Sequence, residues 1–209
     1  MIKALITGGN GGIGAAIKKA LSEWMNVELV YSYDIENGNN VCDYDQVQRH
    51  IAALGKIDLL VKCAGVCEMI PFADQDTHMY QRMININLIG TMNVCHAAIP
   101  YLEGGDIINI ASRAGAYGHA GLAAYCASKA GVMQFSEALA LDLRPHNIRV
   151  GYIMPGTVAT GLGDVHPIED WQIQPEHVAR AVIGMWCMPR GSALGRVEIK
   201  PSLLGGKLQ

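Results

Sequence analysis

The 209-residue chain is poor in charge and in aromatic side chains: 17% of its residues are Asp, Glu, Lys or Arg, and 6% are Phe, Trp or Tyr, with two phenylalanines in all. It has no basic excess, since 16 Lys and Arg face 19 Asp and Glu for a formal net charge of −3, and no basic stripe is visible. Phosphate-backbone recognition rests on clustered cations, so nucleic acid is not an expected partner. No run of about eighteen apolar residues occurs, which argues against a membrane span. An apolar strand pattern opens at Ile2, leaving no room for a secretory signal peptide, so a cytoplasmic protein is expected. The six cysteines (Cys42, Cys63, Cys67, Cys95, Cys126 and Cys187) contain no C-x-x-C pair, and the histidines lack metal-ligand spacing on one helix. Reduced core thiols and no metal site follow. Linkers, tandem repeats, low-complexity tracts and charge runs are also missing, so one domain over residues 1–209 accounts for the chain.

What the sequence does have is glycine (24 residues) and a hydrophobic content of 50%, enough to bury a full core at this length. The first glycine cluster is the most informative. Ile2-Lys3-Ala4-Leu5-Ile6-Thr7 reads as a buried parallel strand, and Ala15-Ala16-Ile17-Lys18-Lys19-Ala20-Leu21 as a helix. Between them lies Gly8-Gly9-Asn10-Gly11-Gly12-Ile13-Gly14. Strand, glycine turn and helix together suit a pyrophosphate site, where backbone N–H groups approach the anion at the positive end of a helix dipole. Two registers fit: Gly9, Gly11 and Gly14 satisfy G-x-G-x-x-G, and Gly8, Gly12 and Gly14 satisfy T-G-x-x-x-G-x-G. A P-loop is excluded, because no Lys-Ser or Lys-Thr follows the last glycine.

The next strand pattern, Val27 to Tyr33, ends at Asp34, twenty residues after Gly14. A carboxylate there accepts hydrogen bonds from an adenosine ribose and repels a 2′-phosphate. No Lys or Arg lies between Lys19 and Arg49, and Glu36 adds negative charge, so NAD(H) is preferred over NADP(H). The same residues also suit a turn into Glu36-Asn37-Gly38.

Tyr125 and Lys129 stand four apart in Ala124-Tyr125-Cys126-Ala127-Ser128-Lys129, with Ser112 thirteen residues before the tyrosine. Residues four apart on a helix share a face. A lysine so placed is expected to lower the tyrosine pKa from about 10 toward working pH, as a proton donor to a carbonyl requires. Taken alone, the pair also fits a solvated helix face.

Together these motifs resemble the classical short-chain dehydrogenase/reductase family over nearly the whole chain. Thr7, Gly8, Asn10, Gly12, Ile13 and Gly14 match the family's cofactor turn, and Asp34 the ribose-binding acid. Asn87 resembles the tetrad asparagine, Ser112 the catalytic serine, and Tyr125 with Lys129 the Y-x-x-x-K signature. Pro155, Gly156, Val158 and Thr160 match the P-G-x-V-x-T segment that contacts nicotinamide, and Asp43 resembles the adenine-contacting aspartate. The resemblance implies an NAD(H)-dependent oxidoreductase acting on a small alcohol or ketone. Tyr125 would be general acid or base, Lys129 would hold the nicotinamide ribose, and Ser112 would bind the substrate oxygen. Asn87 would hold a relay water through its helix backbone. It also implies a homodimer or homotetramer associating through the helices that carry the asparagine and tyrosine. A cofactor-binding sensor or scaffold without turnover is the alternative; an epimerase or dehydratase would bring a longer C-terminal region.

Two departures stand out. The family's N-N-A-G appears as Lys62-Cys63-Ala64-Gly65, so Cys63, Ala64 and Gly65 keep the backbone approach to cofactor while both asparagines are gone. Lys62 is then the one cation that could reach the adenosine side. Six residues separate Asp34 from Val41, too few for a crossover helix. The expected fold is a Rossmann-like, doubly wound parallel α/β sheet whose crossover between strands two and three is reduced to a turn. The family's third strand would be very short, or only an extended segment carrying Asp43. Helices are predicted over Tyr44 to Leu54 (inner face Val47, His50, Ile51 and Leu54), His78 to Tyr101, Ala123 to Leu143 and from Pro175, with a last strand at Arg196 to Lys200. The segment from Gly161 to Gln174, with His166, Pro167, Glu169 and Trp171, would grip a small substrate, joined by Tyr117 and His119.

Overall fold

The computed structural model describes residues 2–24, 27–164 and 168–202. Among these residues apolar runs form six parallel strands in one sheet, ordered β2-β1-β3-β4-β5-β6. These are β1 Ile2–Thr7, β2 Val27–Tyr33, β3 Leu59–Lys62, β4 Asp106–Ile110, β5 Arg149–Pro155 and β6 Arg196–Ile199. Six α-helices connect them: α1 Gly12–Ser22, α2 Tyr44–Leu54, α3 Thr77–Ile84, α4 Gly90–Ala98, α5 Ala123–Asp142 and α6 Pro175–Trp186. The central strands are apolar on both faces because helices cover both. Leu5, Leu60, Ile107 and Val150 meet α2, α4 and α5, with Val47, Ile51, Val94 and Leu139 among the contacts. Ala4, Ile6, Val61, Ile108 and Ile153 meet Ile17 and Leu21 of α1 and Val178 and Val182 of α6.

The chain runs from β1 outward to β2, then crosses to β3 on the other side of β1. The order therefore reverses between β1 and β3, and ligands of such sheets bind outside the carboxyl ends at that point. The register pairs Thr7 with both Tyr33 and Lys62, which brings the residues following three strands to one edge.

Of the two expectations for the family's third strand, the extended segment carrying Asp43 is the one seen, and no strand forms there. After β2 the chain makes a 3-10 turn, Ile35–Asn37, closed by Gly38 at φ 77°, and Val41 and Cys42 lie in a turn leading to α2. Asp43 is the extended residue before α2, and its carboxylate accepts from the Gln46 N–H as a helix cap. Too little chain separates Asp34 from Val41 for a parallel return, so β2 is the sheet's edge. On α2, Val47 and Ile51 are buried, whereas His50 and Leu54 are half-buried at its flanks. The helix predicted from His78 continues from α3 into α4 through one widened turn, Asn85–Ile89, of π geometry.

Candidate active site

A cleft of about 550 Å³ opens at the sheet's carboxyl edge. Its floor is the glycine turn: Gly8, Gly11, Gly12, Ile13 and Gly14 line it, opposite Cys63, Ala64 and Gly65 after β3. Gly8 has φ +67°, and a Cβ there would lie 2.7 Å from Ala64 Cα. A Cβ on Gly14 would lie 2.0 Å from the Gly8 carbonyl oxygen, so a side chain there would displace the turn. Thr7 does not line the cleft; its hydroxyl accepts from the N–H groups of Cys63 and Ala64, each at 3.2 Å, and ties the two loops together.

Helix α1 starts without a side-chain cap and has no acid in its first turn. By contrast, α2 and α3 are capped by Asp43 and Asp76, whereas α5 and α6, like α1, have no side-chain cap, and of these three the α1 turn is the one whose glycines line the cleft floor. The first amides of α1 are thus left for an anion in the cleft, and the turn fits a dinucleotide pyrophosphate.

At the β2 side, Asp34, Ile35, Glu36, Asn39, Asn40 and Val41 form the lip. Asp34 is buried; one carboxylate oxygen accepts from Asn10 N–H at 3.0 Å and the other from Glu36 N–H at 3.2 Å. The Asn10 side chain faces outward to Glu36 at 3.3 Å. Lys62, expected as a possible cation here, is instead buried, donates its Nζ to the Ala64 carbonyl and does not line the cleft. Asp43 is likewise not among the residues lining the cleft.

At the opposite end, Ser112, Tyr125 and Lys129 line the cleft with Pro155, Gly156, Val158 and Thr160. Ser112 follows β4, and its hydroxyl shares a hydrogen bond with Tyr125. Tyr125 is 8% exposed, and Lys129 Nζ lies 5.6 Å from its ring centre while donating to the Ile110 carbonyl at 3.0 Å. The expected lowering of the Tyr125 pKa is corrected: burial raises it, opposed by the Ser112 hydrogen bond. Desolvation, reinforced by Cys67, outweighs the Ser112 hydrogen bond, and the phenol is held in its neutral form. Burial also brings Lys129 down, to about 8.

Asn87 is buried behind this group. Its amide donates to Val66 O at 2.9 Å and Ser128 Oγ at 3.0 Å, while its carbonyl oxygen accepts from Val66 N–H at 2.8 Å. The side chain therefore clamps the loop after β3 to α5. It sits in the π turn, and the Thr91 hydroxyl, 2.5 Å away, donates to its backbone carbonyl.

His119 lines the cleft, but Tyr117 lies outside it, half-exposed under the Arg113 guanidinium at 5.0 Å. Trp171 also lies outside, bonded through its indole N–H to Glu169 at 2.8 Å, and His166 and Pro167 fall outside the described residues. Leu162 and Gln172, both within the expected Gly161 to Gln174 segment, line the wall, and Leu122 and Cys67 join them unforeseen. The Val158–Ile173 bridge holds Gln172 against the cleft, and no local pattern announces such a long-range pairing. The cations at the rim are compensated: Arg82 pairs with Glu68 at 2.8 Å and Arg113 with Glu198 at 2.9 Å. Among the described residues there is no cluster suited to a metal ion, and no helix is long and apolar enough to cross a membrane.

The short chain dehydrogenase family model matches residues 27–169, more than half of the chain, and the protein belongs to that family. Galactitol 2-dehydrogenase of Agrobacterium fabrum is 32% identical over 85% of this chain and 75% of its own length. Carbonyl reductase [NADPH] 2 of Sus scrofa is 31% identical over 78% of this chain and 74% of its own. A short chain dehydrogenase from Burkholderia cenocepacia, solved with NADP, is 26% identical, with a TM-score of 0.82 over 95% of this chain and 88% of that one.

Proposed function

We propose that the protein is an NAD(H)-dependent alcohol dehydrogenase or ketone reductase acting on a small or modest-sized uncharged substrate. The carrying observation is the meeting of a neutral, buried tyrosine, its serine partner and an uncapped helix start in one cleft. A bound nicotinamide dinucleotide supplies or accepts the hydride. The remaining work belongs to the chain. Tyr125 gives its hydroxyl proton to the substrate oxygen during reduction and takes the alcohol proton during oxidation. Ser112 donates a hydrogen bond to the same oxygen as charge develops there. Lys129 supplies positive charge near the phenol and holds the ribose; Asn87 keeps the loop and α5 in register.

The preference for NAD(H) rests on the acidic lip of Asp34 and Glu36 and on Lys62 being buried and not lining the cleft. The relatives whose names carry NADPH or NADP make this the sharpest point to test. The assembly into a dimer or tetramer is part of the same reading, supported by the apolar residues Ala127, Ala138 and Leu141 that α5 leaves exposed. A panel of small alcohols and ketones with NADH and NADPH, followed by nicotinamide fluorescence, tests the proposal. NADH-linked turnover is expected. Cofactor binding with no turnover on any member would favour the sensor or scaffold reading.

A further inference from the structure

Lys62 is 2% exposed at the end of β3, yet it has no ion pair among the described residues. The titratable groups acting on it are Lys129 from α5, Cys63 beside it, Cys95 from α4 and Cys42 from the turn before α2, with no carboxylate among them. A buried ammonium without a counter-charge is costly. Its one hydrogen bond runs from Nζ to the Ala64 carbonyl at 2.5 Å. Ala64 is therefore held at both ends, since its N–H donates to Thr7 Oγ1 at 3.2 Å. On one side of this peptide stands Gly8, where a Cβ would come within 2.7 Å of Ala64 Cα. On the other stands Gly65, where a Cβ would lie 3.5 Å from Lys129 Nζ. The peptide that Lys62 holds is thus the wall between the pyrophosphate turn and the catalytic lysine.

Resting on the dinucleotide reading above, we propose that Lys62 is a positioning residue that fixes this wall and takes up a proton when the cofactor binds, coupling cofactor affinity to pH. Burial, reinforced by Lys129, brings its pKa down to about 7, so the free protein carries Lys62 partly neutral at physiological pH. A pyrophosphate in the cleft adds negative charge, which favours the ammonium. Its pKa in the complex then exceeds that in the free protein, so binding is tightest below the free value and weakens as pH rises through the bound one. Lys129, held at about 8, contributes in the same sense at higher pH.

Calorimetric titration of NADH into the full chain, in buffers of different protonation enthalpy, measures the proton uptake. For the wild type we expect uptake of a fraction of a proton at neutral pH and a loss of affinity approaching about tenfold from pH 6 to pH 8. Lys62→Met removes a buried charge and should fold. It is expected to bind several-fold more weakly and to lose the pH dependence below that due to Lys129. Lys62→Gln, an amide donor that does not titrate, should recover affinity but not the slope. Equal pH slopes and uptake in wild type and both variants would overturn the proposal. Absence of NADH and NADPH binding by the wild type would overturn the dinucleotide reading with it, an outcome distinct from unchanged slopes.

Discussion

At the scale of single residues, the site turns on what burial does to two side chains. Tyr125 is held as a neutral phenol, a state suited to donating a proton to a carbonyl, while Lys129 is brought down to about 8. In the proposed mechanism, reduction needs the protonated lysine as well as the protonated phenol. The reductive kcat/KM should therefore be flat below neutrality and fall as pH rises through about 8, whereas oxidation should gain toward alkaline pH as the phenol loses its proton more readily. Stopped-flow pH profiles in both directions check the opposed signs. In the proposed function Asp34 acts on the other end of the cofactor. Asp34→Ala should cost about tenfold or more in NADH affinity through lost ribose and turn contacts, and bring the NADPH-to-NADH affinity ratio toward unity. Fluorescence titration of both cofactors measures it; an unchanged ratio would remove Asp34 from cofactor selection. The residue types of this site were legible because their spacing is local: Asp34 after a strand, Tyr125 and Lys129 on one helix face. The direction of the Tyr125 shift was not, since desolvation depends on walls contributed by distant segments such as those of Cys67 and Met83.

At the scale of elements, the start of α1 carries the ligand argument. Caps stabilise helix ends by using up free amides; α2 and α3 have them, and α1 begins with Gly11 and no side-chain cap. Gly14→Ala should weaken NADH binding at least tenfold, because the new Cβ meets the Gly8 carbonyl 2.0 Å away and the turn must open. Circular dichroism would confirm that the fold is kept, and NADH fluorescence would report the loss. Periodicity gave the bounds of α2 and β2 directly, since each has an apolar face of its own. The π turn at Asn85–Ile89 had no such signature: its extra residue is stabilised by Thr91 and by the clamp of Asn87 onto Val66 and Ser128, all tertiary contacts. Chain length alone announced the loss of the third strand, whereas the capping role of Asp43 depended on α2 starting beside it.

At the scale of the molecule, the sheet holds the cleft open at the reversal of strand order, and a buried cluster ties its opposite end. Asp106, at the start of β4, accepts from Arg149 and from Arg190, while Arg149 also donates to the carbonyls of Trp186, Met188 and Ser192. This joins β4, β5 and the segment after α6 far from the cleft. Asp106→Ala leaves the mostly buried Arg149 guanidinium with carbonyl acceptors alone and should cost about 3 kcal/mol of stability. Urea denaturation would show a lower midpoint, with NADH binding to the remaining folded protein unchanged. Such long-range pairing could not be read from sequence; what could be read was the alternation of strands and helices that fixes which ends of the strands share an edge.

The central claim is that Tyr125 is the proton donor of a dinucleotide-dependent reaction. Single-turnover reduction of a ketone accepted by the wild type, run beside NADH titration for Tyr125→Phe, tests it most directly. The account predicts that the chemical step slows by about 10²–10⁴-fold while the NADH dissociation constant stays within about threefold of wild type. A variant that reduces the ketone at close to the wild-type rate would contradict it.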